Sequence, residues 1–455
     1  MLSEFLSVLQ TIIIGLLGLG IVVFLHELGH FLACKAVGIH VEAFSLGWGK
    51  PFLKKNWRGT EYRLSVFPVG GYCKMSGEDV FKKAVETGSE TFENEKGSMF
   101  SVSPLKRIFV YLCGPLANLL SASIIMAIVL MIGYTSYTYG AKIALSSDYA
   151  AEKTNPADLG GMQTGDIIKE INGKTIDNYT DIKEAIAFAP GKELKIKVDR
   201  NGEEAALRIV PGVSPDGEGF IGIYAMVDPV VVSVIADSAA EIAGLAEGDV
   251  LVSIDGKPIT HMQDFLYYLE RSKVSADLTY RRSGSETTTE FPVLRDKNGY
   301  AQGGIEFPYI EIKNRVKDPF KALYRGLGES FDVLWLTIKS LGLIFKGGAK
   351  SLSGPLRITY TIGDYTKEAM QSGFLAAVIS FLRLISLLSV ALFFSNLLPI
   401  PAVDGGMILF NLAQIIRGKP LKPKIFYRFN LIGFMIIMLI FLFALINDIS
   451  FFSKL

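Results

Sequence analysis

The sequence predicts a multi-pass α-helical membrane protein with four transmembrane helices, a membrane-associated β-hairpin in an inner loop, and a small α+β domain occurring twice in a long outer segment. Three observations predict it: four long uncharged apolar blocks, basic residues gathered in two of the loops, and an internal repeat between the second and third blocks.

The 455 residues call for several domains, and half of them are hydrophobic with only 20% charged, a balance uncommon in soluble chains. The net charge of +1 excludes a general nucleic-acid binder, which carries a large basic excess.

The apolar blocks are Phe5 to Leu25, Ile108 to Ala141, Leu384 to Val403 and Phe429 to Asn447. A helix crosses a hydrocarbon core of ~30 Å with about 20 apolar residues, so each block is long enough. Met1-Leu2-Ser3-Glu4 offers no basic leader, so the first block is expected to be a span rather than a cleaved signal peptide. Arg417, Lys419, Lys422, Lys424 and Arg428 lie between the third and fourth blocks; Lys35, Lys50, Lys54, Lys55, Arg58, Arg63, Lys106 and Arg107 lie between the first and second. Basic loops stay inside, which puts the middle segment, about 142–372, and both termini outside. Cys34, Cys73 and Cys113 fall in or near the inner loop, so the outer segment has no disulfide framework.

The expected order is a first span with its motif at 1–37, an inner loop at 38–103 and a second span at 104–141. The repeats follow at 142–226 and 228–310, then a linker with an amphipathic helix at 311–372. A third span at 373–416, a basic loop at 417–428 and a fourth span at 429–450 complete it. In the inner loop, Tyr62 to Lys74 alternates apolar and polar residues around Pro68 and Gly70-Gly71, a hairpin pattern. The polar stretch from Ser76 to Ser103 is expected to be a mobile surface loop. Phe331, Leu334, Trp335, Ile338, Leu341 and Phe345 recur at helical spacing, interrupted by Asp332, Lys339 and Lys346. That predicts a helix lying on the outer membrane surface.

In each repeat a Gly-Asp pair (Gly165-Asp166, Gly248-Asp249) precedes alternating apolar residues and then Asn172-Gly173 or Asp255-Gly256, which supply the positive φ of a tight hairpin. Helices follow at Asp181 to Phe188 and Met262 to Arg271. The pattern resembles the PDZ domain in its bacterial-protease arrangement. That resemblance implies a peptide groove beside Phe220-Ile-Gly-Ile223 and Gly303-Gly-Ile-Glu-Phe307, filled by strand addition. The alternative is a pair of buried strands without a ligand.

His26-Glu27-Leu28-Gly29-His30 is an HExxH arrangement. Positions i and i+4 share a helix face, so both imidazoles reach one metal ion with the glutamate beside its open position. Two of the four histidines sit here, at the end of an apolar block, where ionisable groups are costly and mark function. His40 and His261 read as ordinary surface or turn residues. A catalytic zinc needs a third protein ligand. Asp404 fits: it follows Asn396-Leu-Leu-Pro-Ile-Pro-Ala-Val, where two prolines break the helix and turn the carboxylate inward. Two rival readings are a non-enzymatic scaffold presenting two peptide-binding domains and a carrier whose His/Glu/Asp cluster relays protons.

The HExxH in a first span, NxxPxPxxDGG in a later one, and two PDZ-like domains between closely resemble the site-2 protease family, in its bacterial two-PDZ branch. The resemblance covers the whole chain and extends to Cys113-Gly-Pro-Leu-Ala-Asn118 and to the Gly70-Gly71-Tyr72 hairpin. It implies an intramembrane zinc metalloprotease of the bacterial inner membrane. His26, His30 and Asp404 would hold Zn2+, Glu27 would be the general base, and Asn396 would hold substrate or its oxyanion. The implied substrates are single-span membrane proteins already trimmed outside, an anti-sigma factor and remnant signal peptides among them, in regulated proteolysis of a stress response.

Overall fold

The computed structural model describes residues 2–77, 96–149, 154–215, 217–296, 298–344, 353–419 and 422–453. Most of the stretch expected to be mobile, together with Phe345 and Lys346, lies outside the described residues. The chain divides into two compact units, one built from 1–134, 314–342 and 349–455, the other from 135–313 with 343–348.

Among the described residues, the first unit holds four helices long and apolar enough to cross a membrane: Leu2–Val37, Pro104–Ile132, Phe374–Asn396 and Pro423–Phe452. They are called the first to fourth spans below. The second is shorter than expected. Gly133, at φ 90°, closes it, and Tyr134–Thr138 leaves as a strand, because the aromatic and β-branched residues there favour extended backbone. The fourth begins earlier than expected, with Pro423 in its first turn, so Lys424 and Arg428 are helical.

Glycines set how closely the spans approach. A Cβ on Gly29 would stand 2.2 Å from the Cys113 carbonyl oxygen of the second span. The helix Pro355–Gln371 crosses the first span in the same way, with Gly15 against the Thr359 carbonyl and Gly363 against that of Thr11. Small residues at helix contacts are how apolar helices pack within lipid. The start of Pro355–Gln371 is capped by the fourth span. Asp448 is fully buried and accepts hydrogen bonds from the N–H groups of Gly354 (2.8 Å), Leu356 (3.1 Å) and Arg357 (3.2 Å).

The expected surface helix is Pro319–Ile344, and it packs along the second span instead. Ala322, Gly326 and Ser330 form its inner stripe, with the Ser123 and Ser330 hydroxyls 3.3 Å apart and Gly326 against the Ser123 carbonyl. Val333 and Leu334 pack on Leu119 and Ala122. The small stripe, not the aromatic one, decides the docking face.

The inner-loop hairpin is more elaborate than expected. Val41–Trp57 and Thr60–Met75 fold back on themselves. Val41 to Leu46 pairs antiparallel with Gly71 to Met75, and Ala43 to Leu46 also runs beside Glu61 to Leu64 in the same direction. Pro51 to Trp57 pairs antiparallel with Thr60 to Ser65. The strand order is therefore 51–57, 60–65, 41–46, 71–75, a four-stranded sheet whose outer strands among the described residues are 51–57 and 71–75.

In the second unit two four-stranded sheets repeat one topology: 174–175, 167–171, 194–200, 203–209 and 257–258, 250–254, 275–282, 285–292. Asn172, Gly173, Asp255 and Gly256 all have positive φ at the hairpins. The Gly-Asp aspartates are buried, and Arg200 holds Asp166 through two bonds of 2.8 Å, as Arg282 holds Asp249 at 2.7 and 2.6 Å. Burial opposes the charged Asp249, but the Arg282 fork and the Ala246 N–H outweigh it and hold its carboxyl below the usual range.

Equivalent hydrogen bonds (Ala157 N–H to the Ile221 carbonyl, Ala240 N–H to that of Gly303) align the copies. Copy one carries Ile182, Ile186 and Ile221 where copy two carries Phe265, Leu269 and Gly303, and a Cβ on Gly303 would meet the Phe265 ring at 2.9 Å. His261 is not a surface turn residue. It is 3% exposed at the start of helix Met262–Arg271, with Nε2 3.5 Å from the Tyr149 hydroxyl and 3.7 Å from Asp264. Tyr149, from copy one, donates to Asp264 at 2.8 Å. Burial and that carboxylate push its hydroxyl far above the usual range.

Candidate metal centre

Both histidines of the HExxH sequence are buried on one face of the first span. Asp404 reaches them from a separate helix. The third span ends at Asn396, Leu397–Val403 turns with Ala402 at φ 73°, and Asp404 opens the helix Asp404–Arg417. Gly405 and Gly406 make that turn possible: a Cβ on either would stand 2.4 or 2.1 Å from carbonyl oxygens of residues 397–400. Asp404 is thus the first residue of a new helix, not the end of an old one.

Three donor atoms converge. His26 Nε2 lies 3.2 Å from His30 Nε2 and 3.2 Å from Asp404 Oδ2, and His30 Nε2 lies 3.4 Å from Asp404 Oδ1. Ligands held about 2.0–2.1 Å from a tetrahedral zinc stand about 3.3 Å apart; the two nitrogens meet that spacing, and one ligand atom from each of the three residues lies within 4.8 Å of the others. The donors, two imidazole nitrogens and one carboxylate oxygen, are a set that zinc favours. They form a candidate metal cluster among the described residues.

The surroundings orient the rings. His30 Nδ1–H donates to the Val110 carbonyl at 2.9 Å, which leaves the Nε2 lone pair facing the donor cluster. The His30 ring rests on Gly114, where a Cβ would stand 2.3 Å from Nε2. The Asn118 carboxamide lies 3.2 Å from His26 Nδ1, fully buried, with its Oδ1 unpartnered. Amide oxygen and nitrogen are interchangeable in shape. Turned over, Oδ1 accepts from Nδ1–H and frees the His26 Nε2 lone pair for a metal.

Glu27 stands beside the cluster and accepts a hydrogen bond from the Cys73 backbone N–H, on the edge strand 71–75. Asn396 is half-buried at the end of the third span, and no hydrogen bond ties it to the three donors among the described residues. Sequence reasoning missed Asn118 and Gly114 as supports of the rings. Their signal was the Cys113-Gly-Pro-Leu-Ala-Asn118 run inside an otherwise apolar span.

Comparisons with known proteins give the family. The model of Peptidase family M50 matches residues 14–440. A Treponema pallidum protein whose name carries the words zinc metalloprotease is 36% identical, over 97% of this chain and 99% of its own length. The regulator of sigma-E protease RseP of Escherichia coli is 29% identical over 98% of this chain and 99% of its own. The PDZ domain of the SdrC-like protein from Listeria monocytogenes is 26% identical over 18% of this chain and 87% of its own, with a TM-score of 0.16, too low to bear on the fold. The chain belongs to Peptidase family M50 and is a zinc metalloprotease of the site-2 protease type.

Proposed function

We propose that this chain is an intramembrane endopeptidase in which His26, His30 and Asp404 hold the zinc and Glu27 is the general base. The convergence of the three donors within one buried cluster, drawn from the first span and the helix after the third, carries this reading. Bound zinc supplies a Lewis acid to water and to the scissile carbonyl. Glu27 takes the proton of the attacking water and returns it to the leaving amine. Asn396, at the end of the third span, donates to the oxyanion.

A peptide bond inside a membrane helix has its carbonyl already hydrogen-bonded, so the substrate must unwind. Strand 71–75 adjoins Glu27 through the Cys73 N–H. An unwound substrate segment pairing with that strand keeps its backbone groups satisfied and passes Glu27. The substrates are single-span membrane proteins trimmed outside by a first cleavage, including an anti-sigma factor and remnant signal peptides.

The protein lies in the bacterial inner membrane with both termini and the repeated domains outside. Those domains, PDZ-like in strand order and helix position, exclude untrimmed ectodomains and offer peptide grooves. Metal analysis with a cleavage assay on a single-span substrate tests the core claim. The expected result is about one zinc per chain in wild type and in Glu27→Gln, with cleavage lost only in the variant. A Glu27→Gln chain that cleaves normally overturns it.

A further inference from the structure

In the four-stranded sheet beside the first span, strand 51–57 lies on the side opposite the strand that adjoins Glu27 and among the described residues is paired on one side only. Its position along the span can be read from contacts. The ends of the sheet near Leu46, Gly47, Leu64 and Gly70 share a groove with Ile13, Leu16, Leu17, Gly20 and Ile21, deep in the apolar block. The other end lies at the close of the span, where Lys35 Nζ donates to Thr60 Oγ1 at 3.2 Å and Phe31 meets Tyr62. Lys35 and Ile21 are 14 residues apart on one helix, about 20 Å at 1.5 Å per residue. The sheet therefore runs from headgroup level to acyl level.

Strand 51–57 carries side chains that follow this gradient. Pro51 and Leu53 pair across to Ser65 and Leu64 at the deep end, where Phe52 and Leu53 are 64% and 63% exposed. Lys54 and Lys55 stand opposite Arg63 and Tyr62, Trp57 opposite Thr60, and Arg58 stacks over Trp57 at 4.9 Å. Among the described residues none of the three cations is ion-paired, and the neighbouring carboxylate, Glu61, is engaged by Arg63 at 3.2 Å. Exposed apolar side chains at the deep end, then two lysines long enough to reach upward, then an aromatic ring and an arginine at the shallow end match an anionic lipid leaflet.

We propose that this edge, with Lys54, Lys55 and Arg58 at headgroup level above Phe52 and Leu53, is a docking surface for anionic phospholipid. The lipid holds the sheet at a fixed depth, and with it the opposite edge beside Glu27. Lysines on a free edge also deter strand pairing between molecules, but that role needs no aromatic residue and no lipid preference.

The test uses the three tryptophans, Trp48, Trp57 and Trp335. A full-length Trp48→Phe, Trp335→Phe chain reports on Trp57 alone. In bilayers containing brominated phosphatidylglycerol or brominated phosphatidylcholine at equal fraction, the anionic lipid should quench Trp57 with about tenfold higher apparent affinity at low salt. The preference should fall as salt rises, and vanish in the Lys54→Gln, Lys55→Gln, Arg58→Gln chain. Mass spectrometry of lipids retained by the native and triply substituted proteins gives the same answer without touching the tryptophans. Equal quenching by both lipids, or a preference that survives the triple substitution, overturns the proposal.

Discussion

The imidazole of His30 rests on the bare backbone of Gly114, where a Cβ would stand 2.3 Å from Nε2. Gly114→Ala must therefore push the ring out of the position that completes the donor cluster. Zinc affinity, measured by competition with a chromophoric chelator, should fall by at least tenfold, a typical effect of disturbing a ligand's support. An unchanged affinity would mean the ring has room the structure does not show.

Asn118 tests the tautomer of His26. With Oδ1 toward Nδ1–H, Asn118→Asp keeps the acceptor and should retain zinc, whereas Asn118→Leu should lose about 10–100-fold in affinity. Similar losses in both variants would point to packing rather than to the hydrogen bond at 3.2 Å.

Asp448 supplies the cap for Pro355–Gln371 through three N–H groups. Asp448→Ala leaves them unsatisfied at a buried helix start, a loss of about 1–3 kcal/mol. Thermal unfolding in detergent micelles should show a lower midpoint for Asp448→Ala, with Asp448→Asn between it and wild type.

The second unit should lose stability in acid for a definite reason. The Asp249 carboxyl is held below its usual range, so it adds stability above the ordinary carboxylate pKa. That contribution disappears as pH falls through the lowered folded value. Asp249→Asn should cost about 1–3 kcal/mol at neutral pH, discounted because Arg282 is partly exposed. The wild-type advantage should shrink below about pH 4, as read from thermal unfolding of the two proteins across pH.

Much of this was legible in the sequence because it rests on periodicity. Uncharged blocks gave the spans, and the spacing of His26 and His30 put both on one helix face. Asp404 could be paired with them because it follows an apolar block where two prolines and two glycines cannot continue a regular helix. What was not legible depends on close approach. Ala322, Gly326 and Ser330 outrank the conspicuous aromatic stripe because helices dock where backbones can touch. The parallel pairing of 43–46 with 61–64 follows from long-range register, which alternation cannot fix. His261 looked like a turn residue because nothing local announces that Tyr149, 112 residues away, covers it.

The exchange between the two halves of the second unit bears on how far their parts are interchangeable. Phe265 occupies in one half the volume that the Ile221 side chain fills in the other, where Gly303 stands opposite. Neither change is tolerable alone: an added ring collides with the isoleucine, and an isoleucine opposite the ring collides with it. The two halves fill this place with matched pairs, so a graft moving one helix between them would succeed only if its facing strand residue travelled with it.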